Sequence, residues 1–148
     1  MAKDDKTNVM RLLEQAQIPY TARYFDPDGP LPEEEGVFKT LVTEDGRGGH
    51  HVFVIPVQCT LDLKKAARAA GVKSIAMIKQ KELLPLTGYV HGGCSPVGMK
   101  KLFPTVFHES CLALETMMVS AGKIGYQVEA KPAALLALVG AKTADVTV

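Results

Sequence analysis

Two runs with strand character, Val37 to Thr43 and His50 to Val57, flank the polar, glycine-rich segment Glu44-Asp45-Gly46-Arg47-Gly48-Gly49. Few local patterns restrict a chain more. A short Gly/Asp turn between two β-rich runs closes into an antiparallel hairpin. A lone hairpin is barely stable in water, so the rest of the chain must supply strands or helices to cover it.

The flanking sequence does supply them. Thr7 is placed to cap a helix whose apolar residues Val9, Leu12, Leu13 and Ala16 share one face, with Pro19 as its stop. Tyr20, Ala22 and Tyr24 then alternate with polar neighbours, which predicts a strand. Residues 26–36 are rich in proline, glycine and acid and read as a loop. Asp62 or Thr60 can cap a helix over Leu63, Ala66, Ala67 and Ala70, and Gly71 stands where a terminating glycine belongs. A short strand at Ser74 to Ile78 follows, then a helix over 80–86 that ends at Pro85 or shortly after it. Thr105 to His108 and Thr116 to Ser120 read as strands, and Ala121, Gly122 and Lys123 as a turn into a strand at Gly125 to Ala130. Pro132 opens a helix that Gly140 closes, and Ala141 to Val148 supplies a last strand. Strands that occur both as hairpins and between helices predict an α+β fold with a mixed sheet.

At 148 residues the chain is expected to be one domain, residues 1–148, with a core built mostly from aliphatic side chains. Its net charge of +1 argues against a long nucleic-acid footprint and leaves room for a local basic patch. Lys64, Lys65 and Arg68 form one such cluster, and Lys79 with Lys81 and Lys100 with Lys101 form others. Three cysteines, Cys59, Cys94 and Cys111, suit a reducing compartment. The N-terminus lacks an apolar leader segment, and no apolar run approaches the roughly 18 residues of a membrane span. The expectation is a cytoplasmic protein with no membrane contact.

Several chemistries are not written here. His50 and His51 are neighbours in a strand and must face opposite ways, and His91 and His108 lack partners at ligand spacing, so no metal site and no cofactor is expected. The segment around Ser95 imitates a nucleophile elbow but has Val97 where the pattern needs glycine. Cys94 reads more readily as a small buried hydrophobe than as a nucleophile.

Three segments do invite a functional reading. In Phe38-Lys39-Thr40-Leu41, alternation gives Lys39 the same face as Val37 and Leu41, so it either snorkels to the surface or points into a pocket. Gly92-Gly93-Cys94-Ser95-Pro96-Val97-Gly98 makes a tight loop whose N–H groups can hold an anion or a polarised carbonyl, or serve as a plain turn. In Val119-Ser120-Ala121-Gly122-Lys123-Ile124-Gly125 a hydroxyl stands at a strand end beside a glycine.

Together these segments resemble the bacterial YbaK family of aminoacyl-tRNA editing proteins. The likeness runs through FKTLV at 38–42, LDLKKAARAAGVK at 61–73, TGYVHGGCSPVGMKK at 87–101, VSAGKIG at 119–125 and LVGAKTADV at 138–146, and so spans almost the whole chain. The resemblance implies a mixed, barrel-like β-sheet with surrounding helices. It implies trans-editing of Cys-tRNA(Pro), with aminoacyl-tRNA as substrate and prolyl-tRNA synthetase as a candidate partner. Lys39 matches the family's required lysine, and Thr40 follows it as in relatives. Gly92 and Pro96 fall on the Gly-x-x-x-Pro loop, with Gly93 and Ser95 between them, and Ser120 falls on the pocket serine. The implied chemistry uses the substrate's own thiol on its carbonyl, with the protein supplying orientation and charge.

The match is not complete. Phe25 aligns with a tyrosine of relatives, and Tyr24 beside it points the other way if the strand is regular. The connection 26–36 is shorter than the helical one in relatives, Gln127 stands where an acidic or polar residue is usual, and Ile124 where a basic one is common. These departures bear on side-chain selectivity. Alternatives are therefore a deacylase for another small aminoacyl-tRNA, such as Ala-tRNA(Pro), and a non-catalytic binding or regulatory protein of the same fold.

Overall fold

In the computed structural model, which describes residues 6–30, 32 and 34–148, α1 spans Asn8–Gln15. Residues 1–5 of the N-terminus, and Leu31 and Glu33 of the 26–36 connection, lie outside the described residues. Thr7 caps α1 by accepting the Met10 N–H at 3.2 Å, and Val9, Met10 and Leu13 are buried. The helix stops earlier than Pro19. Gln17 adopts φ 59°, and the N–H groups of Gln17 and Ile18 donate back to the carbonyls of Glu14 and Leu13 at 3.0 and 2.9 Å. That is a Schellman closure, with glutamine where glycine is usual.

After β1 (Thr21–Tyr24), the connection to residue 36 contains no helix among its described residues. Strands β2 (Phe38–Glu44) and β3 (His50–Pro56) pair antiparallel, from Phe38 opposite Pro56 to Glu44 opposite His50. The expected hairpin forms, and the Asp45 carboxylate ties its turn by accepting the N–H groups of Arg47 and Gly49 at 2.8 and 3.0 Å.

Helix α2 (Leu63–Ala70) is capped by Asp62 and closed by Gly71 at φ 74°. Strand β4 is reduced to Ala76–Met77, the part of 74–78 that reaches β2. A 3₁₀ turn at Gln80–Glu82 leads into α3 (Leu83–Thr87). Pro85 falls in the first turn of α3, where an N–H lacks an intrahelical partner anyway, so the helix ends two residues later.

Strands β5 (Thr105–His108), β6 (Met117–Lys123) and β7 (Tyr126–Ala130) precede α4 (Pro132–Val139) and β8 (Lys142–Ala144). Residues 121–123, expected as a turn, instead prolong β6. Ser120 pairs with Gln127 and Lys123 with Tyr126, so a bulge takes up Ala121 and Gly122. Ala121 is fully buried, which holds the segment down, and the turn proper is Ile124–Gly125.

The strands form two sheets, β1-β7-β6 and β4-β2-β3-β5-β8. The larger is mixed, with β5 parallel to both β3 and β8. Val37 and Met118 join the sheets through a parallel bridge, with the Met118 N–H on the Gly36 carbonyl at 2.7 Å. The main core lies between the sheets, α1 and α4, around Leu13, Phe107, Met117, Val128 and Leu135. A second core under α2 gathers Phe53, Ile55, Ala66 and Val146.

The strained Gln17 gives a test. Gln17→Gly should raise unfolding stability by about 0.5–1 kcal/mol, because glycine enters the left-handed region without a Cβ penalty that exceeds its extra entropy cost. Urea titration followed by circular dichroism reads this directly.

Candidate active site

Strand parity places the site. On one side of β2 the Val37 carbonyl accepts from the Val57 N–H at 2.9 Å; on the other the Val42 carbonyl accepts from the Ile78 N–H at 3.4 Å. Thr40 has the parity of Val42, so its N–H and C=O aim away from β3. On that edge β4 covers only Thr43 and Glu44, and the bridge to β6 sits at Val37. Among the described residues, the stretch Lys39–Leu41 has no strand neighbour there, and a cavity of about 450 Å³ fills the gap.

One wall of the cavity is β2 from Phe38 to Val42, and the facing wall is Ser120, Tyr126 and Gln127 of the other sheet. His91, Gly92 and Cys94 of the glycine-rich loop and Phe25 after β1 also line it, as do Met77, Ile78, Gln80 and Leu83. The lining is largely apolar with a few convergent polar groups, the usual make-up of a small-molecule site.

Three polar groups of its lining keep hydrogen-bonding or charge capacity among the described residues. Lys39 is half-buried and makes no ion pair among the described residues. The Thr40 hydroxyl oxygen is buried with no hydrogen-bond partner. Ser120 Oγ accepts the Gly122 N–H at 3.1 Å, which leaves its own proton free to donate. A buried orphan hydroxyl costs stability, and this one belongs to a residue of the cavity wall.

The glycine-rich loop is shaped for this position. Gly92 has φ 88°, a conformation side chains disfavour, and it lines the cavity. A Cβ on Gly93 would come within 3.1 Å of the Ile124 N, so this glycine lets the loop lie against the β6–β7 turn. Cys94 reaches the cavity wall, but burial pushes its thiol up to about 12, against a hydrogen bond with Thr87 that lowers it. It is therefore a protonated, poorly nucleophilic thiol at neutral pH.

Of the residues singled out by sequence, Lys39, Thr40, Gly92, Ser120 and Phe25 come together around this cavity. Gly93 supports it from behind. Tyr24 is 42% exposed and packs edge-on against the Tyr126 ring, outside the cavity. Ser95 is fully buried, its Oγ accepting the Val97 N–H at 3.2 Å. Pro96 lines a different groove, between α1, α4 and the loop. Sequence reasoning did not anticipate Ile78, Gln80, Leu83, His91 and Tyr126. The first three arrive only because β4 docks on β2, a pairing no local pattern announces. His91 could have been read from its place beside Gly92.

The sequence signature of the aminoacyl-tRNA editing domain matches residues 29–138. The chain is 43% identical over 153 positions, 96% of it and 93% of the relative, to a protein of Enterococcus faecalis provisionally named Cys-tRNA(Pro)/Cys-tRNA(Cys) deacylase EbsC. A crystal structure provisionally described as a trans-editing enzyme for prolyl tRNA synthetase superposes with a TM-score of 0.78 at 25% identity, over 97% of this chain and 99% of that one. A hypothetical protein at 23% identity superposes with a TM-score of 0.83 over 95% and 99% of the two chains, which shows a shared fold.

Two outcomes follow from the polar groups. Thr40→Val should stabilise the free protein by about 1 kcal/mol, since a methyl replaces an orphan hydroxyl, while weakening any activity of the cavity; a loss of stability in thermal melts would count against the orphan. At pH 8 the Cys94 thiol stays almost wholly protonated, because burial pushes its pKa up to about 12. Iodoacetamide should then label Cys59 and spare Cys94 and the fully buried Cys111 until the protein unfolds, as peptide mass spectrometry would report.

Proposed function

We propose that this chain, which belongs to the aminoacyl-tRNA editing domain family, removes cysteine in trans from mischarged Cys-tRNA(Pro). The observation that carries this reading is the meeting of a lysine with no ion pair, an orphan hydroxyl and an open strand edge at one apolar cavity that, among the described residues, holds no activated nucleophile of the protein. The name of the Enterococcus relative supports cysteine as the amino acid.

The substrate is an activated ester between the cysteinyl carbonyl and the terminal ribose. Its own thiol is the nucleophile the cavity lacks. Attack of the sulfur on the carbonyl forms a C–S bond and a four-membered thiolactone. The ester C–O bond breaks, and the thiol proton ends on the ribose oxygen that departs with the tRNA. Water then opens the thiolactone to free cysteine.

The chain's residues act on charge and geometry. The Lys39 ammonium lies beside the reacting centre, where it favours the thiolate and the developing oxyanion in a setting poor in water. The outward N–H of Thr40 and its hydroxyl hold the substrate's polar groups, and Ser120 donates one further hydrogen bond. Gly92 brings main chain close without a side chain in the way. The apolar wall from Phe25, Ile78 and Leu83 accepts a small uncharged side chain. A pocket alone discriminates cysteine from alanine or proline weakly, but a reaction that needs the substrate's sulfur rejects both. In this reading residues 1–148 act as one domain in the cytoplasm on the misacylated product of prolyl-tRNA synthetase.

The test is deacylation of Cys-tRNA(Pro), Cys-tRNA(Cys), Ala-tRNA(Pro) and Pro-tRNA(Pro) side by side. Cysteine should be lost and the others retained. Lys39→Ala should lower kcat/KM at least about 100-fold, or about 3 kcal/mol of transition-state stabilisation. Alanine lost as fast as cysteine would replace substrate assistance with plain hydrolysis, and full activity in Lys39→Ala would overturn the role given to it.

A further inference from the structure

A second recess, of about 440 Å³, lies between the start of α1 and the bulged end of β6. It is as polar as the first is apolar. Lys6, Arg11 and Lys123 line it, with Asn8 and Tyr126, and no carboxylate does among the described residues. Lys6 is already engaged by Glu14 at 2.9 Å, whereas Arg11 and Lys123 make no ion pair among the described residues. Lys123 instead stands over the Tyr126 ring, 4.8 Å from its centre, which fixes the ammonium at the recess. The bulge between Ser120 and Lys123 brings it there.

Tyr126 lines both this recess and the cavity that holds Lys39. The two sites therefore share a wall, one apolar and shaped for an aminoacyl group, the other basic. An aminoacyl ester seated in the cavity leaves its ribose at the rim. The phosphodiester attached to that ribose must then run across the adjoining surface. We propose that the Arg11–Lys123 recess is the docking site for backbone phosphates of the single-stranded 3′ end of the RNA. The proposal rests on the RNA substrate argued above and adds where that RNA is gripped. It also accounts for how a chain of net charge +1 can hold a polyanion, since the attraction is confined to a few cations beside the cavity.

The probe is an uncharged RNA hairpin ending in single-stranded CCA, titrated by fluorescence anisotropy at several salt concentrations, so that binding is read without turnover. Arg11→Gln with Lys123→Gln should raise Kd about tenfold or more. It should also reduce the slope of log K against log salt by about 1.4, the change expected when two phosphates of a single strand are no longer neutralised. The charge-keeping pair Arg11→Lys with Lys123→Arg should stay near wild type. Lys64→Gln with Arg68→Gln, which removes the same net charge from α2, should leave Kd unaltered. Inorganic phosphate at millimolar concentration should compete only weakly if a chain of phosphates is bound; full displacement would assign the recess to a free anion instead. Equal losses from the two glutamine pairs, or no loss from the first, would overturn the proposal. These readouts do not depend on which amino acid is removed. Absence of any deacylation with recess-dependent RNA binding would sink the catalytic reading alone, and deacylation with unaltered binding would sink this one alone.

Discussion

The site depends on a mismatch in how β2 is paired. Along β3 the strand is matched residue for residue, from Phe38 to Glu44. Along its other edge it meets β4 at two residues and β6 at a single bridge. A continuous sheet would have consumed the main-chain groups of Thr40 in ladder bonds. Because, among the described residues, the hydrogen-bonded ladder joining the two sheets is limited to the bridge of Val37 with Met118, that edge is left open inside the protein, where unpaired strand edges are otherwise covered or paired. The cavity, the lysine and the orphan hydroxyl all belong to this open edge.

The opening is kept from collapsing by what surrounds it. The glycine-rich loop lies against the β6–β7 turn through Gly93. The segment from Met77 to Leu83 adds Met77, Ile78, Gln80 and Leu83 to the lining. Tyr89, buried so that its hydroxyl is pushed up to about 12, anchors the loop by donating to the Val97 carbonyl. The cavity lining is thus held mostly by packed elements, and preorganisation of this sort favours electrostatic work over side-chain chemistry.

Local signals were legible wherever one residue type answers one backbone need. Thr7, Asp62, Gly71, Pro132 and Gly140 mark helix ends as the sequence suggests, and the Asp45 turn closes the predicted hairpin. The same logic failed where an unusual residue met the need, as with Gln17 in a left-handed closure, or where burial overrode composition, as with Ala121 holding 121–123 in β6. Lys39, Thr40, Gly92 and Ser120 were visible as a set through their family-like spacing. Which neighbours of those residues face the cavity was not, because Ser95 and Pro96 sit in the same loop yet point elsewhere. The residues contributed by Met77 to Leu83, and the meeting of Arg11 with Lys123, arise from approaches between segments far apart along the chain.

That separation bears on how the molecule is made. Strand β1 pairs with β7, so Thr21 finds Glu129 only after more than a hundred intervening residues exist, and α1 packs on β6. The hairpin β2–β3 can form early, but its parallel neighbour β5 lies some fifty residues downstream. At about 5–20 residues per second, the first helix must wait several seconds on the ribosome with Val9, Met10 and Leu13 unburied. High contact order slows the later steps as well. The cavity wall therefore closes among the last events, when β6 and β7 arrive to face β2, and a nascent chain has no working site until nearly all of it has been synthesised.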